Sequence, residues 1–243
     1  MTEDRDKAIV DPGQGMFRVK ASERVLFLPA GPMARLLAAR FFAKKARTRP
    51  YPARVFRLKR QGREIDLAGP CMGAPVAAMV LEQLIAGGAK KIIVLGFAGS
   101  LDPGLKISDL LLVSEALCDE GTSKDYFPES NPPVASESLT AALKLQLESK
   151  SRPFKTGKVF STDGFFRETL GKIADFRSRG ALAVEMELSA LYTIGRYRGV
   201  ELAGMAAISD EHSDQGWKSG FKSPSLLLQF LHGAEAALDV LSQ

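Results

Sequence analysis

The chain contains little of what metal sites and disulfide frameworks require. It has two cysteines, Cys71 and Cys118, and two histidines, His212 and His232, in 243 residues. There is no Cys-x-x-Cys pair, whereas zinc sites and disulfide-stapled folds need clustered cysteine or histidine side chains. We therefore expect no metal ion and no cofactor, and a reducing compartment such as the cytoplasm.

Long hydrophobic runs are also missing. No segment approaches the roughly 18 consecutive apolar residues that a membrane-spanning helix needs. The beginning of the chain is charged and interrupted by Pro12, Gly13 and Gly15, which is unlike a secretory leader. The sequence therefore predicts a cytoplasmic protein without a membrane partner, in which residues 1–20 form a flexible arm and residues 21–243 form one domain.

Acidic residues are absent from segment 40–63, which contains ten lysines and arginines. A basic segment of this kind can attract phosphate, an anionic nucleotide or nucleic acid. It can equally form a solvated outer face whose counter-charges lie on other segments or on another subunit. Its aromatic residues, Phe41, Phe42, Tyr51 and Phe56, are few for a platform that stacks single strands, so a nucleic-acid partner is not expected.

Strand-like and helix-like segments alternate along the chain. Short apolar runs predict strands over 24–28, 91–95, 110–113, 158–160, 182–184 and 202–208, with a hairpin over 55–58 and 64–68. Helical periodicity and caps predict helices from Pro32 to about residue 46, over 75–86, 136–150 and 224–241, and one ending at Gly199. This order favours an α/β domain with a largely parallel sheet, helices on both faces and a site at the strand ends.

Carboxylates flanked by apolar residues mark the candidate site for chemistry. Glu185 and Glu187 follow the apolar run before them, and Asp210 follows the next one along the chain. Burying a carboxylate is costly unless a polar partner meets it. These two segments are therefore the candidate site.

Three segments together resemble the nucleoside phosphorylase superfamily, which contains purine nucleoside phosphorylases, uridine phosphorylases and methylthioadenosine/adenosylhomocysteine nucleosidases. They are Leu95-Gly-Phe-Ala-Gly-Ser-Leu101 continuing to Leu110, Phe160-Ser-Thr-Asp-Gly-Phe-Phe166, and Ala183-Val-Glu-Met-Glu-Leu188 with Ile208-Ser-Asp210. The glutamate-methionine-glutamate segment is the most specific of them. The resemblance implies a single-domain three-layer α/β/α sandwich with a twisted mixed central sheet over 21–243, an enzyme acting on nucleosides, and a homo-oligomer.

The resemblance also implies roles for individual residues. Glu187 would accept hydrogen bonds from two ribose hydroxyls, while Asp210 would arrive protonated at N7 of a purine, which needs a pKa raised by burial or by a neighbouring charge. Both contacts lower the barrier because the sugar gains oxocarbenium character as the N-ribosidic bond breaks. Met186 would pack on the sugar and Phe165 would stack on the base. The implied substrate-binding set also contains Glu185, Gly96, Phe97 and Ala98.

The positions that bind phosphate in the family are changed in this chain. Where phosphorylases use two arginines, a serine or threonine in the Gly-rich turn and an arginine of the neighbouring subunit, this sequence has Ala34, Val94, Phe97 and Tyr51. Each missing charge-assisted hydrogen bond removes about 1.5–3 kcal/mol of binding. Gly31 and Arg35 remain as weak phosphate candidates. The sequence therefore leans slightly to hydrolysis of a purine nucleoside.

Several alternatives stay open at the level of sequence. The chain could be a purine or uridine phosphorylase with a rearranged phosphate pocket, or a non-catalytic protein that binds nucleosides or nucleic acid on this scaffold. Glu187 could cap the helix that follows it, and Asp210 could cap a turn. Met186 and Phe165 could be ordinary core residues. Glu185 has the opposite parity in an extended segment, so it is expected to point away from Glu187.

Overall fold

The computed structural model describes residues 8–47, 49–127, 133–213 and 216–243. Its strands are β1 (Arg24–Phe27), β2 (Lys44–Lys45), β3 (Arg54–Arg60), β4 (Arg63–Gly69), β5 (Lys91–Ser100), β6 (Leu110–Asp119), β7 (Lys155–Thr162), β8 (Ala181–Glu185), β9 (Glu201–Ser213) and β10 (Gly216–Ser219). Its α-helices are α1 (Met33–Arg40), α2 (Ala74–Ala86), α3 (Glu137–Ser149), α4 (Leu170–Ser178), α5 (Leu188–Arg198) and α6 (Pro224–Ser242).

The strands form one mixed sheet in the order β10-β9-β6-β7-β8-β5-β1-β4-β3-β2. An additional pairing of β9 with β5 closes β5, β9, β6, β7 and β8 into a ring, so the middle of the sheet curls into a small barrel. The predicted α/β class and mixed sheet are confirmed. The expectation of a largely parallel sheet is wrong, since five of the ten strand pairings in the described ranges are antiparallel.

Helices cover both faces of the sheet, which gives the three layers that the resemblance implies. Buried residues of α2 and α5 pack on one face together with Val25 and Ile92. Helices α1, α3 and α6 pack on the other face with Leu26 and Ile93. Successive residues of β1 and β5 thus point to opposite layers, and this explains why both strands appear in the sequence as continuous apolar runs.

Helix α1 is shorter than its sequence pattern predicts. It ends at Arg40 rather than near residue 46, because Phe42 adopts a left-handed conformation with φ of 55°. The N–H of Ala43 donates to the carbonyl of Ala38, the bond expected where a left-handed residue terminates a helix. The chain then enters the edge strand β2.

Strand β9 is longer than its apolar run predicts, and this matters for the site. The run ends at Ile208, but the strand continues to Ser213 and pairs with β10. Asp210 therefore lies inside a strand and does not cap a turn. Helix α4 and the short hairpin strand β10 have no counterpart in the sequence prediction.

The N-terminal arm and the basic segment are described only in part. Residues 1–7 lie outside the described ranges, and Gly15–Phe17 form a single 3₁₀ turn, so the flexibility of residues 1–20 stays a prediction. In the basic segment, Arg57 donates to the buried carboxylate of Asp66 at 2.7 Å. At least one of its charges thus has its counter-charge on another strand. No helix in the described ranges has the length and apolar character needed to cross a bilayer.

Candidate functional site

A cavity of about 400 Å³ opens at the ends of β5, β8 and β9 and is closed on one side by residues just before α4. It brings together eight of the residues singled out from the sequence: Gly96, Phe97, Ala98, Phe165, Glu185, Met186, Glu187 and Asp210. Gly31 and Arg35 are not among its lining residues, although the adjacent Pro29 and Ala30 are. A larger groove of about 700 Å³ lies at the opposite edge of the sheet, along basic residues, and contains none of these eight.

Glu185 anchors the start of α5. Its Oε2 accepts the backbone N–H groups of Glu187 and Leu188, each at 2.8 Å, and its Oε1 accepts the hydroxyl of Ser161. A carboxylate in this position satisfies two of the N–H groups that a helix leaves free at its N-terminus. Burial raises the pKa of Glu185, which these hydrogen bonds oppose. Both oxygens of Glu185 thus accept hydrogen bonds from within the protein.

Glu187 is left free of the capping role. It stands at the N-cap position of α5, yet its side chain makes no capping hydrogen bond. Its Oε1 instead accepts the N–H of Gly73, the residue before α2, whose φ of 88° suits glycine. Burial, followed by the nearby charge of Glu185, raises the pKa of Glu187. Glu187 is 7% exposed and lines the cavity, and its hydrogen bond from Gly73 fixes the position of the carboxyl group.

A β-bulge turns Asp210 into the same cavity. The register between β5 and β9 shifts between Ala98 and Gly99, so that Ser209 has no partner of its own and Asp210 pairs with Gly99. A bulge re-aims the side chains that follow it, a frequent device next to active sites. Asp210 is 4% exposed and lines the cavity opposite strand β8.

The protonation of Asp210 differs from what the sequence implies. Burial alone would raise its pKa, but hydrogen bonds from His212, Ser209 and Trp217 outweigh it and lower the pKa below the usual value. The hydroxyl of Ser209 donates to Oδ1 at 2.6 Å and the indole N–H of Trp217 donates to Oδ2 at 2.8 Å. The expectation of a resting Asp210 with a raised pKa is thus not met, because donors surround the carboxylate and favour its charged form.

Three residues at this end of the cavity were not predicted from the sequence. His212 places Nε2 3.1 Å from Oδ2 of Asp210 and 3.3 Å from Oε2 of Glu168. His212 could have been found had the strand been extended past Ile208, since positions i and i+2 share one face. Trp217 comes from β10 and Glu168 from the loop before α4, and no periodicity marks either of them.

Gly99 makes room for this group of side chains. A Cβ added there would lie 2.6 Å from both Oδ2 of Asp210 and Nε2 of His212. Real Cβ atoms do not approach other atoms so closely, and both side chains are enclosed. The glycine in the Gly-rich turn is therefore required by the side chains packed against it.

Substituting Gly99 tests this packing. We expect Gly99→Ala to lower the free energy of unfolding by about 1–3 kcal/mol through overpacking, and to reduce kcat at least about tenfold because Asp210 is displaced. Thermal unfolding and initial rates of the purified variant measure both effects. Gly171→Ala is the matched control, since a Cβ at Gly171 meets nothing within 4 Å. Equal rates for Gly99→Ala and the wild type would contradict this account of the turn.

Aromatic rings shape the rest of the cavity. Phe165 is 42% exposed and meets Phe166 edge to face at 5.1 Å, so it is a wall residue and not a core residue. Phe97 packs on Phe230 at 4.9 Å and on Phe221 at 6.0 Å. No lysine or arginine lines the cavity in the described part of the chain. The described lining of the cavity therefore offers ring faces, carboxylates and the imidazole of His212.

Comparison with known proteins identifies similar sequences. A family model described as the phosphorylase superfamily matches residues 25–231. A uridine phosphorylase of Thermococcus kodakarensis is 30% identical over 186 residues, 70% of this chain and 66% of that protein. A DeoD-type purine nucleoside phosphorylase of Clostridium perfringens is 32% identical over 153 residues, 62% of this chain and 65% of that protein. The chain thus spans slightly less than two thirds of the length of such relatives.

Solved structures share the fold over nearly the whole chain. Purine nucleoside phosphorylase of Toxoplasma gondii in complex with immucillin-H superposes with a TM-score of 0.85 at 20% identity, covering 97% of each chain. Uridine phosphorylase of Vibrio fischeri complexed with 6-hydroxy-1-naphthoic acid gives a TM-score of 0.79 at 24% identity, covering 91% of this chain and 90% of that one. At such identities the likeness establishes the architecture.

Proposed function

The chain belongs to the phosphorylase superfamily, and from this premise we propose that it cleaves the N-ribosidic bond of a purine nucleoside with phosphate as the acceptor. One observation carries the proposal. Glu187, just after β8, and Asp210, inside β9, face one cavity as buried carboxylates. The pKa of Glu187 is raised and that of Asp210 is lowered, the reverse of the order that a resting ribose acceptor and a resting acid would show, so the proposal rests on the positions of the two carboxyls.

At the ribose end, Glu187 accepts hydrogen bonds from the sugar hydroxyls. The N–H of Gly73 holds one of its oxygens, so the carboxylate does not have to reorganise when the substrate binds. In its ionised form, Glu187 places a negative charge beside the ring, and this charge becomes more favourable as the sugar approaches an oxocarbenium ion. Met186 follows Glu185 in the same wall and supplies apolar contact to the sugar.

At the base end, Phe165 presents a ring face to the nucleobase, and Asp210 delivers a proton to N7 as the bond to the sugar breaks. A purine leaves more readily as a neutral base than as an anion, since protonation removes the charge that would otherwise develop. The hydrogen bonds from Ser209 and Trp217 fix the direction of the Asp210 carboxylate. The purine preference is inferred from this acid.

The relatives are named as phosphorylases, which favours phosphate over water as the acceptor. The changed phosphate-binding positions of the sequence favour water. Hydrolysis remains a second candidate for one reason, that the described lining of the cavity contains no lysine or arginine. Binding of phosphate then needs cations from beyond this lining. We infer that a second subunit supplies them, and the exposed apolar side chains of Met72 and Phe166 at the cavity mouth suit such an interface.

The acceptor can be identified from the products. We expect purified protein to release hypoxanthine from inosine, or adenine from adenosine, only when phosphate is present, with ribose 1-phosphate as the second product. Chromatography of the base and an enzymatic assay of the sugar measure this. Release of free ribose at the same rate without phosphate would make the protein a hydrolase. Calorimetric binding of nucleosides with no product under either condition would make it a binding protein.

A further inference from the structure

Two further polar side chains adjoin Asp210 and have no role in the mechanism above. The imidazole of His212 lies between two carboxylates, with Nε2 3.1 Å from Oδ2 of Asp210 and 3.3 Å from Oε2 of Glu168. The side chains are 10% exposed for His212 and 6% for Glu168. All three line the cavity at the end where the base is proposed to bind.

Within the described residues, the imidazole of His212 is the group that forms an ion pair with Glu168. Its Oε2 is buried without a hydrogen bond, and it is the only such side-chain atom in the described ranges. Lys172, one turn later, pairs with Asp119 at 2.5 Å, so its charge is already engaged. A buried carboxylate oxygen without a hydrogen bond is costly, and a charge on His212, 3.3 Å away, offsets part of that cost.

Glu168, His212 and Asp210 shift one another's pKa values. Burial raises the pKa of Glu168 to about 7, while the charge of His212 and that of Lys172 oppose the rise and the charge of Asp210 adds to it. Burial by itself would lower the pKa of His212, but the hydrogen bond to Asp210 and the charge of Glu168 raise it above the usual value. Asp210 is ionised. Nε2 of His212 lies within 3.3 Å of an oxygen of each carboxylate, so a proton on this nitrogen faces an acceptor on both sides.

We propose that His212 stores the proton which Asp210 passes to the leaving nucleobase, and that Glu168 is the positioning residue that keeps this proton on His212. The inference rests on the proposed function and deepens it. It explains how Asp210 can serve a leaving group although its surroundings favour the charged form. Close packing at Gly99 fits this arrangement, because a Cβ there would displace both Asp210 and His212.

The transfer balances in protons and electrons. The Nε2–H bond of His212 breaks as a bond forms between that hydrogen and Oδ2 of Asp210, and the imidazole becomes neutral. The same proton then leaves Oδ2 for N7 of the purine while the electron pair of the C1′–N9 bond moves into the base. The acceptor adds to C1′ and its displaced proton returns, through solvent, to Nε2. No oxidant or reductant takes part.

The charge on His212 can be measured without turnover. The chain has only two histidines, so long-range ¹H–¹⁵N spectra of the imidazoles follow His212 with His232 as an internal reference. We expect Glu168→Gln to lower the titration midpoint of His212 by about one pH unit, because a nearby negative charge is removed, and to leave that of His232 in place. Glu168→Asp should restore most of the shift, and Glu148→Gln, on the exposed face of α3, is the matched control. An unchanged His212 midpoint in folded Glu168→Gln would overturn the proposal.

Kinetics test the use of the stored proton. For inosine, we expect Glu168→Gln to move the alkaline limb of kcat to lower pH, and His212→Gln to lower kcat about tenfold to 100-fold with little change in KM. The kcat for 7-methylguanosine should fall less than about threefold in His212→Gln. The purine of this substrate already carries, through its N7 methyl group, the positive charge that protonation would supply. Equal losses for both substrates would overturn the proton store. If the wild type cleaves no nucleoside, the proposed function fails, while the His212 titration still reports on the proton itself.

Discussion

Glu187→Gln should lower kcat for nucleoside cleavage by about 10²- to 10³-fold, the range found when a fixed electrostatic contact to a transition state is lost. The amide keeps the size of the side chain but loses the negative charge that faces the sugar. Stability should change little, because Glu187 accepts one hydrogen bond from Gly73 and does not cap α5. Initial rates at saturating inosine measure kcat, and thermal unfolding measures stability.

The pH dependence provides a second measure of the same variant. Burial raises the pKa of Glu187, so the free enzyme gains its acceptor only as pH rises through a value above the ordinary glutamate range. The ascending limb of kcat/KM should therefore lie at this raised pKa in the wild type and disappear in Glu187→Gln.

Glu185→Gln serves as the contrasting variant for Glu187. It should lower the free energy of unfolding by about 1–3 kcal/mol, since the start of α5 and Ser161 lose a charged acceptor. If Glu187→Gln were as active as the wild type, or if it lost stability as Glu185→Gln does, the ribose role would be wrong.

Asp210→Asn should lower kcat for inosine by about 10²- to 10⁴-fold, the span associated with loss of a general acid. Ser209 and Trp217 donate to different oxygens of Asp210, so the single amide oxygen can accept from only one of them, and thermal unfolding of the variant is measured beside its rate. The amide cannot take up a proton from His212 and pass it on. The alkaline limb of the pH profile, which reports the loss of that proton, should vanish.

The neighbouring carboxylate is the control for Asp210. Glu211 points away from the cavity, accepts the N–H of Ile107 at 3.1 Å and faces Lys106, so Glu211→Gln should keep nearly full activity. Survival of the alkaline limb in Asp210→Asn would locate the acid elsewhere. Equal loss in both variants would indicate a general effect on the β9–β10 hairpin.

Much of the fold can be predicted from the sequence, because its signals are local. The proline and glycine positions around α2 and the proline that begins α6 indicate these helices within a few residues of their observed bounds, and the apolar run of β5 indicates where that strand starts. The end of α1 could not be predicted, since it depends on a left-handed Phe42, a conformation that glycine or asparagine usually marks. The antiparallel hairpin of β3 and β4 was predicted, but the antiparallel pairings of β5 with β8 and of β6 with β9 were missed, because they join segments far apart in sequence.

The candidate site could also be predicted only in part. The resemblance of the motifs points to Glu187 and Asp210, and both line the cavity. The capping of α5 by Glu185 and the bulge at Ser209 depend on backbone geometry, which no spacing of residue types reveals. The lowered pKa of Asp210 depends on His212 and Trp217. Both lie near Asp210 because β9 continues beyond its apolar residues and pairs with β10. Glu168 comes from a loop, where sequence carries the weakest positional signal.

The most direct test of the central claim is a single-turnover assay of base release, with enzyme in excess over inosine in phosphate buffer, for the wild type and Glu187→Gln side by side. We predict complete release of hypoxanthine by the wild type, and release at least about 100-fold slower by Glu187→Gln. Absence of release by the wild type, or equal rates for the two proteins, would contradict the assignment of this cavity to N-ribosidic cleavage.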